Sequence, residues 1–216
     1  MKDRPDSIIR PEQATYLASL LPQRDELLVE MEHYAAERGH PIADPEVALM
    51  MRILVRTRDP KRLLEVGTNI GYSVVTAGRE CAEDAVFETI EIDAKTLDVA
   101  RGYVGRAALP CDVVFHQGAA LEVLPGLAGP FDFVFIDCVK QEYGDYLDAL
   151  IPKLAEGAVI VCDNLLWKGD VARGVDEANA NALRDFNRKF TTHPQLTSLV
   201  LPLGDGTGVA LWSAAL

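Results

Sequence analysis

Leu63-Leu64-Glu65-Val66-Gly67-Thr68-Asn69-Ile70-Gly71-Tyr72-Ser73 is the stretch that decides the fold. A short apolar run passes through two glycines into a segment with helical spacing, predicted over 72–81. Glycine carries no Cβ, so a chain leaving a strand there can turn tightly and approach a ligand closely. The spacing is Gly-x-x-x-Gly. A dinucleotide turn needs Gly-x-Gly-x-x-Gly, with the pyrophosphate resting on the helix N-terminus, so the missing glycine argues against a pyrophosphate ligand.

Working outward, the same rhythm repeats. Apolar strands are predicted over 86–92, 112–116, 131–136 and 158–162, with helices over 94–108, 141–154 and 176–191. Strands covered by helices on both faces read as near-continuous apolar runs, as Phe131-Asp132-Phe133-Val134-Phe135-Ile136 does. Alternation of strand and helix implies βαβ units and a parallel sheet. The last two strands, over 196–201 and 209–213, are joined by Gly204-Asp205-Gly206-Thr207-Gly208, too short for a helical crossover, so they form an antiparallel hairpin. Upstream, helices are expected over 12–21 and 23–38, separated by Pro22, and from Asp44-Pro45 to 57, with the Asp44 side chain as cap. The expected fold class is α/β: a Rossmann-like, mostly parallel sheet with helices on both faces and a C-terminal antiparallel hairpin. It is read as a single domain, 1–216, with an N-terminal helical extension over 1–41 and the core over 42–216.

Composition narrows the function classes. The net charge is -12, which disfavours phosphate backbones and anionic membrane surfaces. No apolar run approaches the roughly 20 residues of a membrane span, and the charged start Met1-Lys2-Asp3-Arg4 is not a secretory leader. Cys81, Cys111, Cys138 and Cys162 form no Cys-x-x-Cys pair, which argues against zinc and thioredoxin-like chemistry and fits a cytoplasmic protein.

In open α/β sheets ligands sit beyond the C-terminal strand ends, near the switch in strand order. Glu91 ends the second strand, about 20 residues past the glycine turn, where an acid accepts hydrogen bonds from ribose hydroxyls. Glycine turn and acid together point to an adenosine-containing ligand without pyrophosphate. Gly118-Ala119 after the third strand leaves room for a flat ring. The fourth and fifth strands end at Asp137 and Asp163-Asn164. Two close carboxylates repel unless one takes a proton or a cation lies between them. Three hard oxygen donors suit magnesium, manganese or calcium rather than zinc. Each element also has a plainer reading: a glycine turn, a solvated acid, a helix cap at Asp137, a polar turn at Asp163-Asn164. Their placement at successive strand ends favours the ligand. Lys140, one turn past Asp137, is a candidate general base, and Trp167 a candidate wall for a flat substrate or a lid residue.

These residues resemble the cation-dependent class I O-methyltransferases, the group that contains catechol and caffeoyl-CoA O-methyltransferases. The resemblance runs from 42 to the end. It rests on Leu64-Glu65-Val66-Gly67 with Gly71-Tyr72-Ser73, Thr89-Ile90-Glu91, Phe135-Ile136-Asp137 with Lys140, Asp163-Asn164-Leu165-Leu166-Trp167 and Leu201-Pro202-Leu203-Gly204-Asp205-Gly206. It implies a seven-stranded sheet, S-adenosylmethionine as methyl donor, and a divalent ion (magnesium, or manganese or calcium) on Asp137, Asp163 and Asn164. It implies Lys140 as base with Asp137 beside it, and Ile42, Glu65, Gly67, Asn69, Tyr72, Ser73, Glu91, Ile92, Gly118, Ala119 and Asp137 around the cofactor. It also implies a phenolic small-molecule substrate with vicinal hydroxyls, and a homodimer. The chain departs from the family pattern at Val47-Ala48, where a Gly-Gln step is usual, at Asn69, where an aromatic residue is frequent, and at Cys138-Val139. Three rivals stand beside this reading: a methyltransferase acting on a hydroxylated nucleoside in tRNA, a nicotinamide oxidoreductase, and a cofactor-binding protein without activity.

Overall fold

The computed structural model describes residues 10–215. Three helices come first: α1 (Pro11–Ser19), α2 (Glu26–Arg38) and α3 (Pro45–Arg58). The core follows as β1 (Arg62–Val66), α4 (Tyr72–Gly78), β2 (Val86–Glu91), α5 (Ala94–Ala107), β3 (Asp112–Gln117), the short α6 (Ala120–Val123), β4 (Phe131–Ile136), α7 (Tyr143–Leu150), β5 (Leu154–Cys162), the short α8 (Asp170–Arg173), α9 (Ala178–Thr192), β6 (Leu196–Leu201) and β7 (Thr207–Trp212).

The strands form one seven-stranded sheet in the order β3-β2-β1-β4-β5-β7-β6. The first five are parallel, and β7 runs antiparallel to both β5 and β6. This is the sheet with a closing hairpin that the sequence implies. Side chains alternate across a strand, and the core follows that period of two. Leu63, Phe133, Phe135, Val159 and Val161 pack on one face with α2, α3, α4 and α5. Leu64, Val66, Val134, Ile136, Ile160 and Cys162 pack on the other with α7 and α9. Both faces are covered, which is why these strands read as continuous apolar runs.

Helix starts follow local chemistry in some places and tertiary demands in others. Asp25 accepts from Leu28 N and starts α2 three residues later than expected, while Asp93 accepts from Thr96 N at α5 and Glu177 accepts from Ala180 N at α9. The Asp44 side chain does not cap α3, contrary to expectation: it makes no cap hydrogen bond. Burial and the nearby charges of Glu46, Asp205 and Asp137 raise its pKa instead, so it belongs to an acidic crevice. The helix expected over 141–154 breaks into a 3₁₀ turn (Lys140–Glu142), α7, and a second 3₁₀ turn (Ile151–Lys153), because Pro152 cannot continue an α-helix and β5 already begins at Leu154. Among the described residues, no helix is long and apolar enough to cross a membrane.

Candidate active site

The order β3-β2-β1-β4-β5 reverses direction of growth between β1 and β4, and the site lies at that switch. Register brings the strand ends level: Val66 pairs with Ile136, and Ile136 with Cys162. The next residues, Gly67, Asp137 and Asp163, therefore lie side by side. Backbone bonds hold them there, Asp137 N to Val66 O at 3.0 Å and Asp163 N to Ile136 O at 3.1 Å. Gly67 sits at φ +105°, and a Cβ there would lie 2.2 Å from the Asp137 carbonyl oxygen. Only glycine lets the two strand ends close this tightly.

A cavity of about 540 Å³ opens above them. Of the residues singled out from the sequence, Ile42, Gly67, Asn69, Tyr72, Ser73, Glu91, Asp137, Lys140, Asn164 and Trp167 line it. Cys138 and Val139, where the chain departs from the family pattern, also line it, as do Pro41, Ala43, Thr68, Thr96 and Asn179, which were not foreseen. Asn179 comes from α9, more than a hundred residues from the glycine turn, and carries no local signal. Five expected residues lie off the lining, Asp163 among them. Ile92 is 67 % exposed just past β2. Gly118 and Ala119 follow β3, and Gly118 N donates to Glu91 O at 2.9 Å.

Glu65 is also off the lining, fully buried beneath the floor. The Ser73 hydroxyl donates to one of its oxygens and the Thr89 hydroxyl to the other, at 2.7 Å from Thr89. Burial dominates its titration and pushes its pKa up to about 8, against the lowering effect of these two bonds. Glu65 thus fixes the Ser73 rotamer from below. Tyr72 lines the cavity, yet its hydroxyl is committed to Glu32 of α2 at 2.7 Å.

On the β2 side, Glu91 accepts from Asn69 N at 2.8 Å and from Asp93 N at 3.0 Å. The carboxylate is held at the rim by backbone donors, in the place expected of a ribose-binding acid. At the other end, Asp137 accepts from Lys140 Nζ at 2.6 Å, and the same ammonium donates to Tyr143 Oη at 2.9 Å. Lys140 is 9 % exposed, and the tyrosine and the carboxylate fix its position. Asp163 is 2 % exposed. Its pKa is pushed up to about 7, first by burial and then by the charge of Asp137. Asn164 follows at φ +61°, a left-handed conformation that asparagine tolerates, with its N–H donating to Asp163 Oδ1 at 2.7 Å.

This donor set fits a hard divalent cation. Asp137 and the pair Asp163-Asn164 follow adjacent strand ends and supply two carboxylates and one amide oxygen, and Asp163 carries a charge that burial penalises. Among the described residues there is no cluster of three His, Cys, Asp or Glu side chains that could hold a metal ion. Trp167, also at positive φ, stands at the cavity edge, and the adjoining Lys168 N is pinned by Asp205 at 2.7 and 2.9 Å.

A family model described as O-methyltransferase matches residues 22–212. The chain belongs to that family, and is an O-methyltransferase by class. A catechol O-methyltransferase of Niastella koreensis is 30% identical over 195 residues, covering 87% of this chain and 88% of the relative. A caffeoyl-CoA O-methyltransferase of Mesembryanthemum crystallinum is 27% identical, covering 87% and 80%. The solved O-methyltransferase TomG of Streptomyces achromogenes, involved in tomaymycin synthesis and in complex with SAM, superposes with a TM-score of 0.82 at 28% identity, covering 93% of this chain and 95% of that one.

Proposed function

We propose that this chain transfers the methyl group of S-adenosylmethionine to one hydroxyl of a catechol-type small molecule, with a divalent cation, magnesium in the first instance, as part of the site. One observation carries the reading: a single cavity is lined by a ribose-type acid, Glu91, and by Asp137, Lys140 and Asn164, with Asp163 following the strand end next to Asp137. The named relatives act on catechol and caffeoyl-CoA, and TomG holds SAM.

Glu91, Gly67 and Ser73 would hold the nucleoside and amino-acid parts of the cofactor, and Asp137, Asp163 and Asn164 the cation. When bound, the cofactor supplies an electrophilic methyl group, and the cation lowers the pKa of a coordinated hydroxyl. The chain's own work is positioning and proton handling. Lys140 Nζ, fixed by Asp137 and Tyr143, releases its own proton to solvent and, as the neutral amine, takes the hydroxyl proton. Trp167 forms a wall for a flat ring. Holding the two reactants in near-attack geometry can supply up to about 7–11 kcal/mol of barrier lowering. The acidic surface, net -12, disfavours an RNA substrate. A single domain, a homodimeric state and a cytoplasmic location complete the proposal.

The test is methyl transfer from labelled S-adenosylmethionine to a panel of catechols, with magnesium and with a chelator. Transfer supported by magnesium and abolished by the chelator is expected. Transfer that survives the chelator would remove the cation from the reading. Cofactor binding without transfer to any phenol would redirect the search to a nucleoside acceptor.

A further inference from the structure

The cavity is roofed by a short strap, residues 39–43, that links α2 to α3. Pro41, Ile42 and Ala43 of this strap line the cavity opposite Gly67 and Glu91. The strap has few apolar anchors of its own: Gly39 and Pro41 are exposed, His40 and Ile42 half-buried, and Ala43 alone is buried. Gly39 N and His40 N donate to Ala35 O at the end of α2, and polar contacts to Asn69 hold the strap over the cavity. His40 Nδ1 lies 2.9 Å from Asn69 Oδ1, and Asn69 Nδ2 donates to the Pro41 carbonyl. These two contacts fix the chemistry of both partners. The Pro41 carbonyl only accepts, so the amide nitrogen of Asn69 must face it, and the amide oxygen must face His40. His40 Nδ1 therefore carries a proton. The imidazole ring is steadied on its face by stacking on Tyr34, 5.8 Å between centroids.

Asn69 has a third bond in the other direction. Its backbone N–H donates to Glu91 Oε2 at 2.8 Å. One residue thus grips the roof with its side chain and the candidate ribose acid with its backbone. Its φ is +46°, and asparagine is among the few side chains that adopt this conformation readily. An aromatic residue, frequent at this position in the family, has no amide to make either strap contact.

We propose that Asn69 is a positioning residue that couples the Glu91 end of the cofactor site to closure of the His40–Pro41 strap, so that a nucleoside seated on Glu91 is enclosed by the strap. The coupling rests on the cofactor reading given above. Its physical basis is pre-organisation: the strap is ordered before the ligand arrives, so less conformational freedom is lost on binding.

The test measures binding and exchange, apart from turnover. N69G removes the amide while leaving the positive φ unstrained, because glycine adopts it freely. H40F keeps the stack on Tyr34 and deletes only the Nδ1–H donor, without touching the Asn69 backbone. The probe is S-adenosylhomocysteine, with its Kd from calorimetry and amide hydrogen exchange across residues 39–43. In the wild type the probe should bind and slow exchange in the strap. In N69G the Kd should rise roughly tenfold, the size of one to two net hydrogen bonds, and strap exchange should be faster with and without the probe. H40F should move both readouts in the same direction by less. In assays, the KM for the methyl donor should rise far more than kcat falls. N69G and H40F that match the wild type in Kd and strap exchange would overturn the proposal. So would a raised Kd with unchanged strap exchange, which would reduce Asn69 to a simple contact. A wild type that does not bind the probe at all would overturn the cofactor reading itself, and this proposal with it.

Discussion

Replacing Glu65 by Gln should make the protein more stable at neutral and alkaline pH, and the size of the gain follows from where Glu65 sits. The carboxyl is fully buried beneath Ser73, and its pKa rises from 4.5 to about 8. A folded-state pKa above the unfolded value means that the fold favours the protonated form. The contribution of Glu65 to stability is therefore complete below pH 4.5 and is lost as the pH rises through about 8. Each pH unit is worth about 1.4 kcal/mol, so the whole shift amounts to about 5 kcal/mol, comparable with the total stability of a small domain. Full burial leaves no solvent screening to discount. Gln keeps the shape and the contacts: its carbonyl accepts from Ser73, its amide donates to Thr89 Oγ1, and the Thr89 proton passes to Thr68 Oγ1, 2.5 Å away. It has no proton to lose. Urea denaturation of both proteins from about pH 5 to about pH 9 gives the difference in unfolding free energy, in which every other titrating group cancels. That difference should grow in favour of E65Q by about 1.4 kcal/mol per pH unit up to about pH 8 and then level off. A difference that stays flat across this range would refute the burial argument, and would mean that water or a counter-charge reaches Glu65.

Four further outcomes follow. G67A should lose about 2–5 kcal/mol in thermal or urea unfolding, because a Cβ at φ +105° would meet the Asp137 carbonyl at 2.2 Å; a stable variant would mean that the strand ends can spread. Magnesium affinity, followed by calorimetry, should fall roughly tenfold per pH unit as the pH drops below about 7, since Asp163 is protonated there and a proton competes with the ion; an affinity indifferent to pH would remove Asp163 from the ligand set. K140A should bind S-adenosylhomocysteine as the wild type does and lose about 10²–10⁴ in turnover near neutral pH; normal turnover would assign the proton to another group. D137N should abolish magnesium binding and leave Lys140 without its charged partner, seen as lost activity that added magnesium does not restore.

The parts that local chemistry writes were legible in the linear chain. Continuous apolar runs of strand length, glycines after Val66 and acids ending two core strands are signatures of a sheet buried on both faces and of a ligand crevice, and they led to the sheet, its closing hairpin and the set Gly67, Glu91, Asp137, Lys140 and Asn164. Each belongs to one strand end and the turn after it, so its position follows once the strand is recognised. Tertiary structure decided what depends on several strands at once. Register made Gly67, Asp137 and Asp163 level neighbours. The sheet buried Glu65 rather than offering it to a ligand, and drew Asp44 from capping α3 into the acidic crevice. It brought Asn179 of α9 to the cavity and set His40 against Asn69 across 29 positions of chain. The reason is the range of the forces. Hydrophobic periodicity and turn geometry act within a few residues and leave a mark on the sequence, whereas desolvation and charge proximity are properties of the assembled sheet, felt only once distant segments share one small volume.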